Sequence, residues 1–493
     1  MKKIQKILIA NRGEIACRII KTAQKLGIKT VAVFHESDAG SLALRLADET
    51  VKIDGVTPVA AYLSIDEIIA ACKKTGADAV HPGFGFLSEN SEFAKRVTKE
   101  GIIFIGPTTD AIAAMGDKIQ SKRLAAKSGV PVIPGYDGEI TNATDALTIA
   151  QKIGFPVMIK ATAGGGGKGL RVVHSANDCA DAFERTTAEA KAAFGDGRVF
   201  IEKFIESPRH IEIQILGDTQ GNIIHLGERE CSIQRRHQKI IEEAPSSFLD
   251  EKTRQKMGQA AIALAKAVNY TSAGTIEFVV DQQRNFYFLE MNARIQVEHP
   301  VTEMITGIDI VEQQIKIAQG ESLNLTQNNV RFSGHAIECR LCAEDPDRGF
   351  VPSSGKLRKF TTPDEPWLRL DSGVAQGDVI GANFDSMLAK LIVTSNTRAE
   401  AILNMKVALL NTAVLGVTTN ADYLYRILSQ PAFAAGDIHT GFLAENEAAL
   451  KSRPPLEHEA AVILAAALLS NRSVSDKRLE VSLIHSKIGA WRN

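Results

Sequence analysis

Residues 275–300 read TIEFVVDQQRNFYFLEMNARIQVEHP, and the rest of the chain is interpreted outward from them. Ile276, Phe278 and Val280 alternate with Glu277 and Val279, Asp281 to Asn285 is a polar run, and Phe286 to Met291 begins a second strand-rich segment. That is the pattern of a β-hairpin. Side chains two apart share one face of a strand. Glu290 and Asn292 therefore point one way and Leu289 and Met291 the other, and Glu277 can face the polar pair from the neighbouring strand.

Two carboxylates and an amide carbonyl are hard oxygen ligands, which suit Mg2+ or Mn2+ held together with phosphates and suit zinc poorly. Arg294, Gln296, Glu298 and His299 follow before Pro300, more polar groups than an ordinary strand exit carries. A solvated surface hairpin explains any single acidic residue. The cluster favours a site.

The chain has 493 residues, 44% hydrophobic and 23% charged, which predicts a globular protein of two to four domains. Lys plus Arg number 57 against 58 Asp plus Glu, a formal charge of -1. No global basic field draws it to nucleic acid or membrane, and small-molecule chemistry is favoured. Only a four-residue apolar run precedes Asn11 and Arg12, too short for a signal-peptide core, and the run Ala460 to Leu469 is far short of the ~20 residues of a spanning helix. A cytoplasmic protein without a membrane segment is expected. Cys339 and Cys342 form an isolated C-x-x-C whose members sit on opposite faces of a predicted strand, so the six cysteines are expected as free, reduced thiols.

From Ile4 to Gly106, apolar runs (KILIA, TVAVF, TVKI, DAVHP, IIFIG) alternate with amphipathic segments at Glu14 to Leu26, near Leu42, Ser64 to Thr75 and Ser88 to Lys99. This predicts a doubly wound parallel sheet in an α/β fold. Ser64 and Glu67 have the spacing of a capping box. NAD binding is excluded locally, because Asn11-Arg12-Gly13-Glu14 replaces the G-x-G-x-x-G that a pyrophosphate needs. His81 to Asn90, with glycines flanking Phe84, reads as a turn and helix cap that can also face a ligand.

A single long helix is predicted from Thr109 to Ser128, carrying Lys118. After a Pro/Gly-rich linker, Phe155 to Thr162 is a strand bearing Lys160, followed by Gly164-Gly165-Gly166-Gly167-Lys168-Gly169. Five glycines in six residues cost folding entropy and add no core, so they need a ligand that the backbone approaches closely. Successive N–H groups form an anion nest, to which Lys168 adds charge, although the spacing is not that of a P-loop. The flanking strands make this a mobile hairpin lid over ATP. VFIEKFI puts Glu202 and Lys203 on a strand leading to Arg209, His210, Glu212 and Gln214, an edge suited to adenine. Glu228 to Lys239 is polar almost throughout and reads first as a solvated loop, second as a functional one. In HAIECRLCAED, Glu338 and Arg340 share the polar face of a strand, opposite Ile337, Cys339 and Leu341.

Taken together, NRGEIACRI, HPGFGFLSEN, MGDK, MIKATAGGGGKGL, ERECSIQRRHQKIIEEAP, EMNARIQVEHPVTEMITG and RLCAEDP resemble the signature blocks of the biotin carboxylase family, in order, across about the first 445 residues. The resemblance implies an ATP-grasp fold. Its parts would be a pre-ATP-grasp domain at 1–114, an ATP-grasp domain at 115–330 with a two-stranded-sheet lid at about 135–203, a C-terminal domain at 331–446, and a helical tail at 447–493. It implies that ATP and bicarbonate form carboxyphosphate and that biotin N1 is carboxylated.

By the same resemblance Lys118, Lys160, Gly165, Gly166, Gly167, Lys168, Glu202, Lys203, His210, Gln234, His237, Glu277 and Glu290 line the ATP site. Glu277, Glu290 and Asn292 match the metal ligands. Glu298 matches the base acting on bicarbonate, with Lys239, Arg294, Gln296 and Val297 around the anion, and Arg340 matches the cation that steadies the biotin enolate. Phe84, Leu170 and Asn383-Phe384 depart from residues common in the family and touch the biotin pocket.

The run VLGVTTNADYLYRILSQPAFAAGDIHTGFL and the ending GAWRN resemble acyl-CoA carboxylase α subunits, yet no A-M-K-M biotinylation site occurs. A truncated α subunit is expected, working with a separate biotin carrier domain and a carboxyltransferase subunit, as a homodimer or in a larger oligomer. The alternatives are a free-standing biotin carboxylase subunit of acetyl-CoA or pyruvate carboxylase, another ATP-grasp ligase, or a non-catalytic ATP-binding scaffold. The intact Glu277, Glu290, Glu298 and Arg340 set argues against the scaffold.

Overall fold

The computed structural model describes residues 3–136, 138, 140–162, 169–452 and 461–466. The chain divides into a unit of residues 1–450 and a second of residues 451–493. In the second, the described residues 461–466 are helical, with Val462, Ile463 and Leu464 exposed.

The first unit begins with β1 (Lys6–Ile9), β2 (Lys29–Phe34), β3 (Glu49–Lys52), β4 (Ala79–His81) and β5 (Ile103–Phe104), hydrogen-bonded in the order β3-β2-β1-β4-β5. Every pair is parallel, as the alternating apolar runs predict. Between β1 and β2 the helix Gly13–Lys25 buries Ile15, Ile19 and Ile20. Ile15 and Ile19 join a core with Ile310, Val311 and Ile315 of the helix Ile310–Ala318, which ties this sheet to the rest of the unit. At the helix Ile65–Thr75 the capping box is half made. Ser64 accepts from Glu67 N at 3.3 Å, while the Glu67 carboxylate instead accepts from Asp54 N at 3.0 Å.

The predicted long helix is broken in two, Thr109–Gly116 and Lys118–Lys127. Asp117 is extended (φ -91°, ψ 114°), and its Oδ1 accepts from Gln120 N at 2.8 Å, capping a fresh helix that starts at Lys118. Next come β6 (Gly135–Tyr136), β7 (Val157–Ala161), β8 (Leu170–Val173) and β9 (Val199–Lys203), in the order β6-β9-β7-β8. The sheet of this small layer has four strands where two were expected. Val157, Ile159, Val173 and Ile201 need an apolar cover, which Ala146, Ala150, Cys179 and Phe183 supply from two helices. The β7–β8 hairpin is present, and Gly165, Gly166, Gly167 and Lys168 lie outside the described residues.

The large sheet contains β10 (Arg209–Gly217), β11 (Ile223–Arg235), β12 (Gln238–Ala244), β13 (Ser272–Val280), β14 (Phe286–Asn292), β15 (His335–Cys342), β16 (Leu368–Ser372) and β17 (Met387–Ser395). Its order is β14-β13-β10-β11-β12-β15-β17-β16, antiparallel throughout. Glu228 to Lys239 is thus two strands and a turn, not a solvated loop. Its polar side chains are matched inside the protein: Arg229 is fully buried and donates to Glu212, Gln214, Thr275 and Thr302. Arg236 and His237 make the turn at φ 48° and 68°. The six cysteines are buried and free.

Candidate active site

A cleft of about 1760 Å³ is lined by residues of the small four-stranded layer and the large sheet. On the side of the small layer, Lys160 Nζ lies 2.6 Å from Glu202 Oε2, and Lys122 from the capped helix holds the other oxygen. Burial would raise the Glu202 carboxyl, but the two lysines outweigh it and hold the group low. Lys118 stands at the start of the same helix and faces the cleft. Lys203, also in the lining, gives its ammonium to Gly154 O and Phe155 O at 2.9 Å each. Gln234 donates to Cys231 O at 3.2 Å, beside His210 and near His237 at the turn.

The hairpin of β13 and β14 carries the acidic wall. Glu277 is opposite Glu290, and Thr275 opposite Asn292, as the alternation predicts. Asn292 Nδ2 and Gln296 Nε2 both donate to Glu277 Oε1 at 3.0 Å, and His210 Nε2 lies 2.9 Å from Glu277 Oε2. Burial, then the Glu277 charge, pushes the Glu290 carboxyl up. Facing carboxylates are donors fitted to a divalent oxygen-seeking cation, while Asn292 here turns its amide nitrogen to Glu277 and its oxygen to Arg294.

Lys239 of β12 reaches three carboxylates: Glu212 at 2.6 Å, Glu277 at 2.8 Å and Glu298 at 2.7 Å. Arg340 of β15 touches Glu298 Oε2 at 3.0 Å and Glu242 Oε1 at 2.5 Å. Glu298 is buried. Burial works against its charge, but Lys239, Arg340 and Arg229 hold its carboxyl well below the usual range. Arg294 is fixed as a fork, donating to Glu89 at 2.8 Å, Gln296 Oε1 at 2.7 Å and Asn292 Oδ1 at 2.7 Å. Val297 also lines the cleft, and its carbonyl accepts from Lys390 at 2.7 Å.

Phe84 and Gly85 form one edge of the cleft. Asn11 Nδ2 ties the loop by donating to Pro82 O and Phe84 O at 2.7 Å each. Gly83 (φ 63°) sits so close to Asn11 that a Cβ there would lie 2.8 Å from Asn11 Nδ2. Among the described residues, every one assigned by the sequence to ATP, metal or bicarbonate, with Arg340, lines this one cleft, whereas Phe384, expected at the biotin pocket, packs on Tyr62 and Arg12 outside the lining. Sequence reasoning passed over Lys122, Glu242 and Lys390, whose partners come from strands or helices distant in the chain.

A small four-stranded layer and a large antiparallel sheet gripping a cleft of lysines and paired carboxylates define an ATP-grasp enzyme. Residues 3–112 match the model of the biotin carboxylase N-terminal domain, 117–326 that of the carbamoyl-phosphate synthase L chain ATP binding domain, and 338–445 that of the biotin carboxylase C-terminal domain. The chain is 53% identical over 460 residues to the propionyl-CoA carboxylase alpha chain of Ruegeria pomeroyi, covering 89% of this chain and 68% of that one. It is 52% identical to a biotin carboxylase of Nostoc sp., over 90% of this chain and 99% of the relative. The biotin carboxylase domain dimer of Hydrogenobacter thermophilus 2-oxoglutarate carboxylase, in complex with MgADP, ADP and bicarbonate, superposes with a TM-score of 0.87 at 44% identity, covering 92% and 100% of the two chains. The chain belongs to the biotin carboxylase family, ATP-dependent ligases. It spans 61 to 68% of the length of the propionyl-CoA carboxylase alpha chains of Ruegeria pomeroyi, Mus musculus and Sus scrofa. Among the described residues no helix is long and apolar enough to cross a membrane.

Proposed function

We propose that this chain carries out the first half-reaction of an acyl-CoA carboxylase: bicarbonate is activated by ATP to carboxyphosphate, and biotin N1 on a carrier domain is carboxylated. The observation that supports this most is the convergence of Lys239 and Arg340 on Glu298 beside the acidic hairpin. Glu298 takes the proton of bicarbonate. The bicarbonate oxygen then attacks the γ-phosphorus, ADP leaves, and carboxyphosphate splits to CO2 and phosphate. Alone, Glu298 is a weak base. A bicarbonate anion held by Lys239, Arg294 and Gln296 brings a like charge and competes for the cations, which raises the proton affinity of Glu298 when it is needed.

Arg340 steadies the enolate of biotin as N1 gives its proton to the phosphate released from carboxyphosphate and then bonds the CO2 carbon, charge stabilisation by a preorganised cation. Lys118, Lys160, Lys203, His210, Gln234 and His237 take the nucleotide, with Glu202 accepting from it; Gly165, Gly166, Gly167 and Lys168, outside the described residues, are assigned to its phosphates by the family resemblance. Glu277, Glu290 and Asn292 would hold Mg2+ or Mn2+, which supplies neutralisation of phosphate charge. We assign residues 1–114, 115–330 and 331–446 to the three domains of the fold, with the tail starting at 447.

The final acceptor is reached through a carboxyltransferase subunit, with the biotin carrier domain as a separate partner and the enzyme a homodimer or larger oligomer. Free, buried thiols suit a reducing compartment, so we place the protein in the cytoplasm. The near-complete match to a Nostoc biotin carboxylase favours a second reading, a free-standing biotin carboxylase subunit. ATP cleavage measured with and without bicarbonate and free biotin tests the activity. Stimulation by both supports it, and stimulation by an amino acid or carbamate in their place overturns it.

A further inference from the structure

Beside Glu298, and sharing Arg340 Nη2 with it, stands a second carboxylate pair. Glu242 and Glu338 are direct partners across β12 and β15, which puts their Cβ atoms about 5 Å apart. Both are 0% exposed. Arg340 Nε and Nη2 both reach Glu242 Oε1, at 2.6 and 2.5 Å, and among the described residues neither Glu242 Oε2 nor either oxygen of Glu338 has a donor.

Lys390 of β17 faces them, but its ammonium is given to Val297 O at 2.7 Å and lies 3.2 Å from Glu14 Oε2 of the helix Gly13–Lys25. Glu14, Glu242 and Glu338 thus outnumber Lys390 and the share of Arg340 that Glu298 leaves. A bare buried carboxylate loses its hydration with nothing to replace it. Two adjacent ones take a single proton between them.

We propose that Glu242 and Glu338 are positioning residues for Arg340: they share one proton, so Glu242 holds the guanidinium alongside Glu298 without drawing it off Glu298 and the incoming biotin. This rests on the reading of Arg340 as the group that meets biotin. Burial raises both carboxyls, Glu242 to about 7 and Glu338 well above the ordinary range, with Arg340 and Lys390 opposing. Of the carboxyls around them, Glu298 and Asp371 are held ionised by neighbouring cations, and burial raises Glu14. Lys239 and Lys390 are held charged by their carboxylates, and burial pushes the Cys231 and Cys339 thiols up. Loss of the shared proton to solvent at alkaline pH leaves two full carboxylates beside Arg340 and pulls it back from the cleft.

The test is the ratio of biotin carboxylation to biotin-independent, bicarbonate-dependent ATP cleavage across pH, in the full chain. In the wild type this ratio falls on the alkaline side by about tenfold, less than the roughly hundredfold cost of losing an oriented donor outright, because Arg340 is displaced and not removed. Glu338→Gln removes the fall, Glu338→Asp restores it, and Glu338→Met serves as the uncharged variant if Gln does not fold. The proposal is overturned if the wild-type ratio does not fall, if the uncharged variants fall with the wild-type midpoint, or if Asp fails to restore the dependence. Absence of any bicarbonate-dependent ATP cleavage in the wild type would overturn the proposed function itself instead.

Discussion

Glu298 Oε2 and Arg340 Nη2 lie 3.0 Å apart, an ion pair joining the segment after β14 to strand β15. With Lys239 at 2.7 Å on the other oxygen, the carboxylate is ionised and fully engaged before any substrate arrives. Removing its charge should therefore stop proton abstraction without emptying the nucleotide cleft. Glu298→Gln is expected to lower bicarbonate-dependent ATP cleavage by about 10²- to 10⁴-fold, the range for a positioned base. Nucleotide binding, followed by calorimetry, is expected to stay within a small factor. Unaltered turnover would remove Glu298 from this role.

Arg340 is held at two nitrogens: Nε and Nη2 contact Glu242, and Nη2 also contacts Glu298. A lysine cannot reproduce that fork. Arg340→Lys and Arg340→Ser should both lower biotin carboxylation by about a hundredfold while costing biotin-independent ATP cleavage much less. Full rescue by lysine would mean that charge alone matters at this position.

Much of this geometry was legible from residue order, and what was not has a common cause. The hairpin at Glu277 and Glu290 announces itself because its period, its turn and its carboxylates lie within one short stretch. The parallel sheet does so through its repeated apolar runs. By contrast, the Glu228 to Lys239 segment looks solvated, because the groups that pair with it inside the protein (Glu212, Arg254, Thr302) come from elsewhere in the chain. The Glu338 face of β15 is polar yet fully buried for the same reason: Lys390 and Glu242 approach from neighbouring strands. Asp117 interrupts a helical period that composition alone would continue, since a cap acts through one hydrogen bond and leaves no periodic trace.

Glu202, bracketed by Lys160 and Lys122, is a buried charge whose two partners are also candidates to meet the nucleotide. Glu202→Gln leaves both lysines free to reorient. The KM for ATP is expected to rise about tenfold, equivalent to roughly 1.4 kcal/mol, with a smaller change in kcat. Steady-state kinetics over an ATP series checks this, and a fall confined to kcat would place Glu202 in the chemical step.

The buried imidazoles should make acid stability depend on position. His81 Nδ1 accepts from Gly83 N at 3.1 Å, so its proton sits on Nε2, 3.2 Å from Gln314 Oε1. Burial, aided by the Arg18 charge and opposed by the Gln314 hydrogen bond, lowers its pKa to about 4. The folded state thus refuses a proton that the unfolded chain accepts from about pH 6.5 downward. The contribution of neutral His81 is complete above that pH and is lost as pH falls toward 4, a change on the order of 3 kcal/mol. His299, also pushed down by burial, acts in the same direction. Glu242 acts oppositely over pH 7 to 4.5, because there the fold holds a proton that the unfolded chain releases. The wild-type curve is therefore a sum, and a variant isolates the term. His81→Gln keeps an acceptor for Gly83 N but cannot titrate, so whatever it costs at pH 7.5 should shrink steadily down to pH 4. Denaturant unfolding of the two proteins in parallel reads the difference, and a deficit that stays constant across that range would show that His81 does not resist protonation in the fold.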